Sequence, residues 1–150
     1  MDQRLWGPAV RRPLAVVAGV AACAAAVASV LGGGARPAEA AGLPGCAHPV
    51  GHASLPASLA SFPLPAGTVI ERREAKYGYT IYSGHVPGAI NPVRDFFVSR
   101  LPSAGYRLGA GDAEAAEAEA DYAGHGARGR WKVRAVYGCP GALTIQIAVR

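Results

Sequence analysis

Cys46, His48 and His52 stand as Cys-x-His-x-x-x-His, and a thiolate with two imidazoles is a donor set that suits zinc or copper. Pro49 and Gly51 break any helix that would align the two imidazoles, so His48 and His52 are candidate ligands without a scaffold. Ser83 and His85 lie two apart, the spacing of same-face neighbours on a strand, and a serine beside an imidazole base is where nucleophilic hydrolysis starts. No Gly-x-Ser-x-Gly turn accompanies them. Asp112, Glu114, Glu117, Glu119 and Asp121 offer five carboxylates in ten residues. They lack the Asp/Asn-Gly spacing of a calcium loop, and they lie along one segment, whereas glycoside hydrolysis needs two carboxylates converging across a cleft. With no glycine-rich phosphate loop either, the expectation is a non-catalytic protein with no cofactor and no metal. Tyr77, Tyr79, Tyr82 and Tyr137 remain as candidate stacking surfaces for a ligand, although sheet tyrosines commonly serve as packing residues with a wet hydroxyl.

The elements that position these residues begin after an address. Arg11-Arg12 precede an eighteen-residue run of small and apolar residues from Leu14 to Leu31, followed by three glycines and Ala38-Glu39-Ala40. This is the charged, apolar and small-residue order of a secretory signal peptide, cleaved after Ala40. Two other outcomes use the same residues. Val20-Ala21-Ala22-Cys23 has the form of a lipobox that would lipidate Cys23, although Cys23 is followed by more apolar residues where a lipoprotein turns polar. An uncut segment of this length is at the short end of what spans a bilayer. All three place the remainder outside the cytoplasm, secreted or held at the outer face of the membrane or cell wall, with membrane contact through residues 1–40 alone.

Without the leader about 110 residues remain, enough for one modest core. Arg4, Arg11, Arg12 and Arg36 leave with it, as do Asp2 and Glu39, so 15 basic and 10 acidic side chains become 11 and 8. That excess is too mild to argue for a nucleic-acid partner. Cys46 and Cys139 are the two cysteines left, 93 positions apart. In an oxidising compartment two lone cysteines in a small domain pair with each other, and no Cys-x-x-Cys suggests a redox or metal role.

Residues 41–67 contain five prolines, which excludes a long helix and predicts a wrapping strap docked by Leu55, Leu59, Phe62 and Leu64. Residues 68–150 read as an α+β domain. Thr68-Val69-Ile70 opens a strand that continues through charged residues to Lys76-Tyr77-Gly78, and Tyr79–Ser83 returns as its hairpin partner. Asn91 with Pro92 predicts a helix start, and Val93, Phe96, Phe97 and Leu101 form one apolar stripe. From Gly129 to Tyr137, Arg130, Lys132 and Arg134 alternate with Trp131, Val133, Ala135 and Tyr137. A hairpin turning within 122–129 sets Asp121 opposite Arg130, Glu119 opposite Lys132 and Glu117 opposite Arg134. The acidic run is therefore a strand and half of a charge ladder, although its alanine background also has helical propensity. Leu143, Ile145, Ile147 and Val149 mark a last strand. The expected order is ββαβββ: one antiparallel sheet of about five strands, one amphipathic helix on one face, and the strap near an edge or the open face.

Phe62-Pro63-Leu64-Pro65-Ala66-Gly67-Thr68, Val86-Pro87-Gly88 before the helix, Leu101-Pro102-Ser103-Ala104-Gly105-Tyr106 at its end and Gly138-Cys139-Pro140-Gly141 stand as structural punctuation. In these the chain resembles small exported proteins of high-GC actinobacteria with no assigned function. The resemblance implies an exported single α+β domain and supplies no substrate. Three function classes follow: a non-catalytic envelope or secreted binding domain for a protein or glycan partner, a small-ligand or cell-wall glycan binder using the tyrosines, and an envelope hydrolase or metal protein using His85 or His48 and His52.

Overall fold

The computed structural model describes residues 42–150. The predicted leader, with the expected cleavage after Ala40 and Cys23 as a candidate lipidation site, lies outside the described residues. Among the described residues no helix is long and apolar enough to cross a membrane.

The fold is α+β: one antiparallel sheet with one α-helix. Its strands are β1 (Val69–Lys76), β2 (Tyr79–Pro87), β3 (Arg107–Ala113), β4 (Glu117–Gly124), β5 (Ala127–Ala135) and β6 (Ala142–Val149), with helix α1 (Ile90–Ser103) between β2 and β3. The sheet therefore has six strands, one more than expected, in the order β1-β2-β6-β5-β4-β3. The additional strand is β3, an edge strand that is exposed along most of its length. Gly109-Ala110-Gly111 carries no alternation to announce it, and its pairing with β4 creates it. The acidic run is split accordingly: Asp112 lies near the end of β3, Glu114 in the connecting turn, and Glu117, Glu119 and Asp121 on β4.

Two hairpins turn through residue pairs with positive φ at both positions, Tyr77-Gly78 and His125-Gly126, the type I′ geometry that matches strand twist. The β4–β5 register is the one read from charge alternation. Glu117 faces Arg134, Glu119 faces Lys132 and Asp121 faces Arg130, while Ala118 faces Val133 and Ala120 faces Trp131. The apolar alternation of β5 stops sooner than expected: Ala135 and Tyr137 are exposed, because the strand ends at Ala135 and the chain turns toward Cys139.

Helix α1 begins at Ile90, with Ala89 as its cap, rather than at Asn91. The Val93 N–H donates to the Ala89 carbonyl, closing a turn that buries Ile90 ahead of the predicted stripe. Pro92 then falls in the first turn, where N–H groups have no helical acceptor. At the other end the Gly105 N–H donates to the Pro102 carbonyl and the Tyr106 N–H to that of Leu101. This is a Schellman closure, with Gly105 at φ 86° and Leu101 and Tyr106 both buried beside it.

Helix and strap cover the same face of the sheet. Phe97 stacks on Trp131 with ring centroids 4.7 Å apart. Phe62 of the strap sits 4.9 Å from Tyr122 and 5.5 Å from Tyr106. The strap therefore helps build the helix-side core instead of lying on the open face. Leu59 and Phe62 are buried, and Leu55 and Leu64 pack against the same cluster. Aromatic pairs in these geometries contribute about 0.5–1.5 kcal/mol each beyond their burial.

Cys46 and Cys139 form a disulfide, with Cα atoms 5.6 Å apart. It fastens the start of the strap to the β5–β6 connection, where Ala47, Cys139 and Ala142 form a small second core. A bridge of this kind is consistent with an oxidising, extracytoplasmic setting. Replacing Cys46 or Cys139 by Ser is expected to lower unfolding stability by ~2–5 kcal/mol. Urea titration under non-reducing conditions measures it, and an unchanged midpoint would refute the role of the bridge.

Candidate functional site

Strand alternation sends one set of side chains toward α1 and the other onto an open, polar face. On β2 the core side takes Tyr82, Gly84 and Val86, and the open side takes Tyr79, Ile81, Ser83 and His85. Tyr82 is only 2% exposed, so the core claims it and its ring is not available to a ligand. Tyr137 is fully exposed beside the disulfide loop, far along the chain from the strands that carry the other candidates. Tyr77 and Tyr79 stay together at the β1–β2 turn.

These two line a groove of about 550 Å³ on the open face. Ile81 and Ala148, cross-strand partners on β2 and β6, are apolar residues of its lining. Arg128 and Arg130 of β5 line it as well. The Arg150 guanidinium lies 4.8 Å from the centre of the Tyr79 ring, and the Lys76 ammonium 5.1 Å from that of Tyr77. Both contacts place a cation against the electron-rich face of an aromatic ring.

Further along the same face, β4 and β5 carry the charge ladder. Arg130 contacts Asp121 at 2.8 Å and Glu119 at 2.6 Å. Lys132 contacts Glu119 at 2.9 Å and Glu117 at 2.6 Å, and the Arg134 Nε donates to Glu117 at 2.6 Å. The Lys132 and Arg134 hydrogen bonds hold the Glu117 carboxyl below its ordinary value, and Arg130 does the same to Asp121. The ammonium of Lys132, bonded to Glu117 and Glu119, is held protonated to higher pH than usual.

The third feature is at the β1 side. An irregularity between Ile70 and Arg72 inserts Glu71, whose carboxylate pairs with His85 Nδ1 and accepts the Val50 N–H at 3.2 Å. A carboxylate that orients an imidazole is two-thirds of a hydrolytic triad. Ser83 lies on the same face, but no hydrogen bond joins its hydroxyl to His85 among the described residues. His125 is used structurally: its Nε2 lies 2.8 Å from the Ala104 carbonyl oxygen and its ring packs on Tyr106.

His48 and His52 are exposed on the strap, and Cys46 is committed to its disulfide. Among the described residues no group of three or more His, Cys, Asp or Glu side chains converges to hold a metal ion. Of the four tyrosines singled out in the sequence, Tyr77 and Tyr79 line this groove. Lys76, Arg128 and Arg150 are not evident beside them in the sequence because they are brought together only by strand order, nor is Glu71 beside His85, because a bulge leaves no local mark.

The depressed Glu117 and Asp121 carboxyls make the ladder a pH-dependent support. Groups whose folded values lie below the ordinary 4.5 and 3.8 add stability above those values and lose it as pH falls through the folded ones. Stability is therefore expected to be flat near neutrality and to decline below about pH 4, with a shallower decline in Glu117→Gln. Urea midpoints against pH measure this, and identical profiles for the two proteins would contradict it. Reversing Arg130, Lys132 and Arg134 to Glu together is expected to disrupt the β4–β5 pairing, visible as lost amide-exchange protection in both strands. No family model, no curated protein and no solved structure matches the chain.

Proposed function

We propose that this is an exported, non-catalytic binding domain of the cell envelope or its surroundings that takes a small ligand or wall glycan in the Tyr79 groove. The observation that carries the reading is the groove itself: an apolar patch of Ile81 and Ala148 beside Tyr77 and Tyr79, on a sheet face that is otherwise polar. Ligand sites combine apolar contact surface with a few polar groups that fix orientation. Here the charged groups are Lys76, Arg128, Arg130 and Arg150, with the Asp121 carboxylate engaged by Arg130. The disulfide and the leader sequence support work outside the cytoplasm.

Intact mass of the natively exported protein tests the compartment. A chain starting near Ala41 is expected, with two thiols that appear only after reduction; a diacylglyceryl adduct on Cys23 would instead make it a surface lipoprotein. Amide chemical-shift mapping with neutral cello- and chito-oligosaccharides tests the site. Shifts are expected around Tyr79, Ile81 and Ala148, with affinity falling about tenfold in Tyr79→Ala, as for a central aromatic anchor. His85→Ala is expected to leave that binding unchanged. Shifts centred on Glu71 and His85 would favour the hydrolytic reading, and no shifts would reject a neutral glycan as the ligand of the groove.

A further inference from the structure

The groove is one part of a longer feature. Lys76 on β1 pairs with Tyr79 on β2. Arg150 carries its guanidinium against Tyr79 and exchanges backbone hydrogen bonds of 3.2 and 3.0 Å with Arg128. Arg128 is opposite Ala123 on β4, and Ala123 is opposite Arg107 on β3. Cross-strand partners point to the same side of a sheet. These six residues therefore form one row across the sheet, on the open face, at the end where the Tyr77-Gly78 and His125-Gly126 turns lie. At the usual strand spacing the row is roughly 24 Å long.

Four of the six are cations, and all four are exposed. None of them makes an ion pair among the described residues, whereas Arg130, Lys132 and Arg134 on the same face each contact a carboxylate. Arg128 and Arg150 are also direct neighbours of like charge, an arrangement that weakens a sheet. The domain thus neutralises its cations along the ladder and leaves them free along the row.

We infer that the row is the binding track for a carboxylate-bearing polysaccharide strand, lying across the β-strands from Lys76 to Arg107. This rests on the groove reading above and names the class of its ligand. Guanidinium forks match planar carboxylates. Ile81, Ala148 and the Tyr79 edge offer apolar surface to sugar rings, which a bare polyphosphate would not use. The concavity of the groove suits a strand better than a flat lipid surface.

The test uses the disulfide-bonded protein and calorimetric titration with oligogalacturonate of about eight units, its neutral methyl ester, and inorganic polyphosphate, the length chosen so that the oligomer extends along several strands. The anionic oligomer is expected to bind at least about tenfold more tightly than its ester, and to weaken about tenfold or more between about 50 and about 200 mM salt, as counterion release requires. The double variant Arg128→Gln, Arg150→Gln is expected to lose about tenfold in affinity with an unchanged or higher Tm, because it relieves a like-charge pair. Arg94→Gln on α1 is the control and is expected to bind normally. Equal, salt-insensitive binding of oligomer and ester at Tyr79 would overturn the inference and leave the neutral groove standing. Tighter binding of polyphosphate would overturn the choice of a carboxylated glycan. Binding of neither saccharide would overturn the track, and if the neutral oligosaccharides above also fail, the groove with it.

Discussion

β6 is the element on which the two halves of the sheet depend. It lies between β2 and β5, so it joins the β1–β2 hairpin to the β3–β4–β5 meander. Its core-facing side chains are among the most completely buried in the domain: Ile145 and Ile147 have no exposed surface, and Leu143 and Val149 very little. Full burial of a side chain of this size contributes about 1.5–3 kcal/mol, and each of these four meets partners from both halves. The disulfide sits just ahead of β6 and ties that same region to the strap. The strap in turn delivers Phe62 to the aromatic cluster against Phe97, Tyr106 and Tyr122. One apolar strand, one covalent link and one inserted ring thus hold segments that are distant in the chain.

The open face uses charge in two ways, and the first makes the second possible. The ladder between β4 and β5 lies in solvent, where single ion pairs add little, but it selects one register. Slipping the pairing by one residue would put the β5 cations on the face opposite the β4 carboxylates. With Asp121 held opposite Arg130, Arg128 must face Ala123. The unneutralised row at the turn end is therefore set by the neutralised ladder beside it.

The alternation of Arg130, Lys132 and Arg134 with large apolar residues, against acids alternating with alanine, contained the β4–β5 pairing in full, because opposite charge and complementary size are both local signals. The Cys46–Cys139 link followed from there being two cysteines beyond the predicted leader, each with one available partner. The stripe on α1 was equally plain, although its first turn was hidden because Ala89 caps through its backbone. β3 was not legible: its side chains touch little, and its existence depends on β4 offering a free edge. Tyr82 and Tyr79 look alike in sequence, and only the register with β6 separates the core ring from the exposed one. Lys76, Arg107, Arg128 and Arg150 are scattered along the chain, so their row is a property of strand order that no window of sequence contains.

The central place of β6 has a consequence for how the molecule is made. Tyr82 pairs with Ile147 across most of the domain, and contacts so far apart in sequence form late and slowly. Until residues 142–149 arrive, β2 and β5 each carry an unpaired edge, and open edges recruit other chains. A chain released without its last strand would thus be a template for aggregation, whereas a chain threaded through a membrane unfolded would gain that strand on the far side, in the compartment where Cys46 and Cys139 can be joined.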